Sequence, residues 1–134
     1  MKNNIMKKWV KALRSGKYKQ GFGTLKQYNS NGKPKHCCLG VLCELYNNDM
    51  KKSKKKTLNT TIVNGNNDFT YGHTRFDNVP DGLPEKVKEW SGINSSYGKF
   101  YGEEDLPASL ADLNDNGKRF KTIADIIEKH YENL

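Results

Sequence analysis

The sequence predicts one α+β domain in which short helices at both ends pack around a small antiparallel sheet. Three observations predict it. Apolar residues recur at helical spacing near each terminus, and β-rich runs flank an Asn-Gly turn signal in the middle. A chain of 134 residues with 34% hydrophobic content has room for one modest core and not for two, so residues 1–134 form a single domain.

Taken in order, Ile5, Trp9, Val10 and Leu13 make one apolar stripe on a short helix that Arg14-Ser15-Gly16 ends. Thr24-Leu25-Lys26-Gln27-Tyr28 alternates in character and predicts a strand, and Asn29-Ser30-Asn31-Gly32 a tight turn. Residues 36–46 are apolar at Leu39, Leu42, Cys43 and Tyr46, which predicts a buried helix. Within it, Gly40 costs helix propensity and permits close approach of another backbone. The polar, lysine-rich residues 47–59 predict a mobile loop. Thr60-Thr61-Ile62-Val63 and Phe69-Thr70-Tyr71 predict two strands of a hairpin turning at Asn64-Gly65-Asn66-Asn67.

Two later segments share one grammar. In each of residues 83–90 and 106–113, a Leu-Pro pair precedes apolar residues at helical spacing, which predicts two short helices with Pro84 and Pro107 in their first turns. Gly92 and Gly117 stand where C-terminal caps belong. Phe120, Ile123, Ala124, Ile127 and Tyr131 predict a final amphipathic helix that closes the core. Trp9 and Trp90 lie on apolar stripes and are assigned to that core.

Charge is distributed unevenly. Ten basic residues and no acidic ones precede Glu44; five lysines in residues 51–56, set against Glu44 and Asp49, bring the running charge to +13. From Thr57 onward, 8 basic and 13 acidic residues contribute −5, for a net charge of +8. Such a field attracts phosphates, nucleic acid or an acidic partner. A plainer reading stands beside it for residues 51–56: runs of like charge are commonly just solvated. The longest apolar run, 37–43, is far shorter than the roughly 20 residues of a membrane helix, so no membrane association is expected. The basic N-terminus has no apolar segment or small-residue cleavage site after it, which predicts a cytosolic location. Three cysteines, two adjacent, suit free thiols in a reducing compartment.

Gly16-Lys17-Tyr18-Lys19-Gln20-Gly21-Phe22-Gly23 has the glycine spacing of half a phosphate-binding loop, but Phe22 stands in place of the required lysine and the segment follows a helix, not a strand. What remains is an anion nest of glycine N–H groups, with Lys17 and Lys19 supplying charge and Tyr18 a stacking face; the alternative is a simple glycine-rich turn. Asn114-Asp115-Asn116-Gly117-Lys118-Arg119 likewise reads as a phosphate and ribose contact at a helix start, or as a plain capped turn. His36, Cys37, Cys38 and Cys43 lack metal-ligand spacing, so no metal is expected. Cys37 would be a nucleophile only if a helix N-terminus or a base lowered its pKa; burial as a small hydrophobe is the commoner fate. No hydrolase signature, helix-turn-helix or RNA-binding fingerprint is present, so neither catalytic residues nor a cofactor are assigned.

Several motifs, read together, resemble a small protein family found in bacteriophage genomes: Trp9-x-x-Ala12-Leu13-x-Ser15-Gly16-x-Tyr18-x-Gln20-Gly21, Cys37-Cys38-Leu39-Gly40-Val41-Leu42, Leu83-Pro84-x-x-Val87-x-x-Trp90, and Leu110-x-x-Leu113-Asn114-Asp115-x-Gly117-x-x-Phe120-x-x-Ile123-Ala124-Asp125-x-Ile127-Glu128. Arg119 departs from the Ser or Thr cap such sequences carry. The resemblance implies a phage accessory protein in the cytoplasm of an infected bacterium, with an anti-defence role as the implied context. On this basis the expected function is sequestration of a phosphate-bearing, nucleotide-derived immune signal of cyclic or ADP-ribose type. Lys17, Lys19, Lys118 and Arg119 would neutralise phosphate, Tyr18 would stack, and Gln20, Asn114 and Asp115 would read the base or ribose. A nucleic-acid-binding module is the first rival and a cysteine-dependent hydrolase the second. Symmetric self-assembly stays open as well.

Overall fold

The computed structural model describes residues 1–65 and 72–134. The described residues form five α-helices and six short strands in an α+β arrangement, with helices at both ends. Helix α1 (Asn3–Arg14) buries Ile5, Met6, Trp9, Val10 and Leu13, the predicted stripe with Met6 added. Trp9 is wholly buried, and its indole N–H donates to the Cys38 carbonyl at 2.9 Å, supplying the partner that a buried indole requires.

Strands β1 (Lys26–Tyr28) and β2 (Pro34–His36) form a hairpin. Its turn is organised by Asn29, whose Oδ1 accepts from the Asn31 and Lys33 N–H groups, and by Gly32 at a φ of +77°. The predicted strand and turn are present. His36, expected at a helix start, instead ends β2. Helix α2 (Cys38–Lys52) follows, with Cys37 Sγ accepting from the Gly40 N–H at its N-terminus.

Helix α2 runs six residues past Tyr46, so residues 47–52, expected to belong to a polar loop, are helical. Their polar character reflects an outward face. Asn47, by contrast, is buried and its Oδ1 accepts from the Leu58 N–H at 2.9 Å, which ties the following segment back onto the helix. Gly40 answers to its neighbour: a Cβ there would lie 1.8 Å from the Leu25 carbonyl oxygen, so the helix packs directly on the backbone leading into β1.

Strand β3 (Thr60–Val63) matches its expectation and pairs with β4 (His73–Phe76) in the register Thr60↔Phe76 to Val63↔His73. The expected strand at Phe69-Thr70-Tyr71, together with Asn66 and Asn67 of the expected turn, lies outside the described residues. Strand β4 also pairs with β1, giving an antiparallel sheet of order β2-β1-β4-β3. Helix α3 (Glu85–Ser91) begins after Pro84 and ends at Gly92, whose φ of 78° is a left-handed cap. Trp90, expected in the core, is only partly buried and packs at its margin.

A further expectation is corrected. Residues 106–113 are not a single helix, because Pro107–Ser109 is strand β6, paired with β5 (Lys99–Tyr101) in a separate hairpin. Helix α4 (Leu110–Asp115) starts three residues later than Pro107, where Ser109 Oγ accepts from the Asp112 N–H at 3.1 Å. A serine cap satisfies a helix donor, whereas proline only avoids wasting one, and here the serine sets the boundary. Helix α5 (Phe120–His130) buries Phe120, Ile123, Ala124 and Ile127 against α1, as its periodicity predicts.

Candidate functional site

The glycine-rich segment after α1 and the 114–119 corner after α4 do meet. Asn114 is completely buried between them. Its Oδ1 accepts from Gln20 Nε2 at 3.0 Å and from the Cys38 N–H at 3.1 Å. Its Nδ2 donates to the Gly21 carbonyl at 2.8 Å and to Asp115 Oδ1 at 3.3 Å. Gln20 Nε2 also reaches the Lys118 carbonyl at 2.7 Å, and Asp115 Oδ1 takes the Gly23 N–H at 2.9 Å.

These bonds change the assignment of Asn114. Asn114, expected to read a base or ribose, has both polar atoms engaged by the protein and no exposed surface, so it acts as a clamp. Gln20 Nε2 and Asp115 Oδ1 are engaged on the same seam. The expected anion nest is also occupied from within, since the Gly21 N–H donates to the His36 carbonyl at 2.7 Å and the Gly23 N–H to Asp115. Lys19, Lys118 and Arg119 are exposed and line neither the α1–α2 surface described next nor the small cavity beside Cys37 and Asp115.

The open site lies elsewhere on the same basic half. A groove of about 340 Å³ runs between α1, the turn after it and the outer face of α2. Lys8 and Lys11 reach it from α1, Lys17 and Tyr18 from the turn, and Lys52 from α2. Spacing explains the α1 contribution: positions 8, 11, 12 and 15 share one side of a helix, and Lys8, Lys11, Ala12 and Ser15 all line the groove. The Lys17 ammonium sits 5.5 Å from the Tyr18 ring centre, a cation–π contact. Tyr18 itself stands edge-on to the His36 ring at 5.3 Å, which fixes its plane. Partial burial and the Glu44 charge raise the Tyr18 phenol above its ordinary range, so it is a neutral donor at pH 7.

Two carboxylates shape the field. Asp49 lines the groove, accepts from the Trp90 indole at 3.1 Å, and lies 3.4 Å from Lys8 Nζ. The indole bond, together with Lys8, holds its carboxyl below the ordinary range, so it stays ionised. Glu44 is set deeper, 3.6 Å from Lys26 Nζ and 3.7 Å from His36 Nε2. Burial would raise the Glu44 carboxyl, but those two neighbours outweigh it and lower it. His36 is buried with neither ring nitrogen in a hydrogen bond.

A family model described as Domain of unknown function (DUF8296) matches residues 1–131. The chain belongs to that family. No curated protein and no solved structure matches the chain. The match spans both the seam and the lysine groove, so both belong to the family's domain and neither is an appendage to it.

Elsewhere in this DUF8296 domain, chemistry is muted. Burial pushes the Cys37 thiol up to about 11 and raises Cys38 and Cys43 as well, so each is protonated at pH 7 and unactivated. Among the described residues no cluster of His, Cys, Asp and Glu is arranged to hold a metal ion, and no helix is long and apolar enough to cross a membrane. A larger depression of about 540 Å³ on the β5–β6 hairpin is lined by Tyr97, Phe100, Tyr101 and Pro107, with Lys99 its one cation against Asp112. Its charge balance does not suit an anion. The α1–α2 groove does, and its lysines at 8, 11 and 52 escaped the sequence reading because nothing local separates them from an ordinary solvated helix face.

Proposed function

We propose that this protein binds a phosphate-bearing nucleotide in the α1–α2 groove and holds it without cleaving it. The observation that carries this reading is the convergence of Lys8, Lys11, Lys17 and Lys52 beside the Tyr18 ring in one cavity of about 340 Å³. Four lysines lining one concave site, with Lys8 partly offset by Asp49, favour a di- or polyphosphate over a single carboxylate, and the ring offers a face for a base. Buried, protonated cysteines supply no nucleophile, which favours retention over turnover and weighs against a thiol hydrolase. Under the phage resemblance, the ligand is a cyclic or ADP-ribose-type immune signal, captured in the cytoplasm of an infected bacterium.

The test is a thermal-shift and calorimetric titration against a panel of cyclic and ADP-ribose-derived nucleotides, followed by recovery of the ligand after heat release. A raised melting temperature with intact ligand is the expected result, and Lys11→Glu with Lys52→Glu should abolish it. Conversion of the ligand to product would overturn the reading. A nucleic-acid module is the second reading, favoured by the exposed lysines at 51, 52, 54, 55 and 56 that continue from the groove. It requires retention of duplex or single strand with a steep loss of affinity as salt rises, whereas a small groove ligand gives a shallow one.

A further inference from the structure

Asp49 is out of place in a site built only for phosphate. Its carboxylate lines a groove of four lysines and repels any anion entering it. It is also held rigidly. One oxygen accepts from the Trp90 indole at 3.1 Å, and the other lies 3.4 Å from Lys8 Nζ. Trp90 is itself fixed by an edge-on contact with Tyr46, ring centres 5.5 Å apart. The carboxylate is about one-third exposed, so it retains acceptor capacity toward the groove. On the same stretch of α2, Asn48 lines the groove as well, adding an amide to the wall that Asp49 and Tyr18 share.

We infer that Asp49 reads the ribose hydroxyls of the ligand, so that the groove selects ribonucleotides with a free 2′,3′-diol over inorganic phosphates and deoxynucleotides. The inference rests on the nucleotide reading above and narrows it. A fixed carboxylate accepts hydrogen bonds from two neighbouring hydroxyls, and this gain offsets the repulsion it imposes on the phosphates. A ligand without hydroxyls meets the repulsion alone. Tyr18 and Asp49 would then lie along the ligand in the order base and sugar, with the lysines left for the phosphates.

Calorimetric titration of the whole protein with ADP, 2′,3′-dideoxy-ADP and inorganic pyrophosphate tests this, in the wild type and in Asp49→Asn. The wild type should bind ADP about tenfold or more tighter than the dideoxy analogue, the discrimination of a charge-assisted hydrogen bond. Asp49→Asn should shrink that ratio to near one while tightening pyrophosphate, because the repulsion is gone. Equal wild-type affinities for ADP and the dideoxy analogue, with pyrophosphate still binding, would overturn the ribose assignment and leave the phosphate groove standing. So would an Asp49→Asn protein weakened equally for both nucleotides, since that is the mark of a purely structural tie to Trp90. Failure of all three probes to bind would overturn the groove and the inference together.

Discussion

Replacing Asn114 by alanine probes the seam most directly. The side chain is completely buried and serves two groups that have no other recorded partner, the Cys38 N–H at 3.1 Å and the Gly21 carbonyl at 2.8 Å. Both residues are buried, so water cannot readily replace the lost bonds. Each orphaned group costs about 1–3 kcal/mol, which sets the expected loss for Asn114→Ala at about 2–6 kcal/mol. Gln20→Ala is the control. It removes the bonds to Asn114 and to the exposed Lys118 carbonyl but orphans no buried backbone group, so its expected cost is about 1 kcal/mol. Urea denaturation followed by tryptophan fluorescence measures both, with the slope checked for two-state behaviour. If Asn114→Ala costs no more than Gln20→Ala, the seam is not held by that amide. Should the folded Asn114→Ala protein instead lose nucleotide affinity at full stability, Asn114 is a ligand contact after all.

Three further outcomes are expected. Gly40→Ala should destabilise by about 2–4 kcal/mol despite alanine's better helix propensity, because the new Cβ would meet the Leu25 carbonyl at 1.8 Å; a thermal melt unchanged or raised would refute the close approach. Native protein at pH 7 should resist a thiol reagent until denaturant is added, since all three cysteines are buried and Cys37 is pushed up to about 11; rapid labelling of a folded thiol would contradict this. Glu44 is lowered in the folded state, so the unfolded chain binds the proton first as pH falls, and the stability Glu44 contributes above the ordinary carboxylate range disappears below it. Glu44→Gln should flatten that acid limb in denaturation curves from pH 6 to 3, and an unaltered limb would show that the Lys26 and His36 contacts carry no weight.

The terminal helices were legible because one face of each is apolar with a period near 3.6, and burial of that face is the dominant energy of each. Strands β5 and β6 were not legible. Three residues each, with Pro107 imitating a helix start, leave too little pattern for period two to show. The end of α2 was hidden by composition, since a helix with one buried asparagine and a lysine-rich outer face reads like a loop. Lys17 and Tyr18 of the groove were found through the glycine-rich segment. Asn114 stands out in the sequence as a polar candidate, but a sequence shows an amide's capacity and not that the Cys38 N–H and the Gly21 carbonyl stand around it. The spacing of Lys8, Lys11 and Ser15 shows that they share one side of α1, but an ordinary solvated helix face has the same spacing.

The carboxylate of Asp115 has a consequence for how this domain meets anions. It sits on the Gly23 N–H at 2.9 Å and is tethered by the chain itself, so its local concentration far exceeds that of any dissolved phosphate. The glycine bend is a socket with its plug already inserted. A phosphate that approaches that side of the molecule meets competition from a resident that cannot diffuse away, and the lysine-lined cavity is spared a decoy.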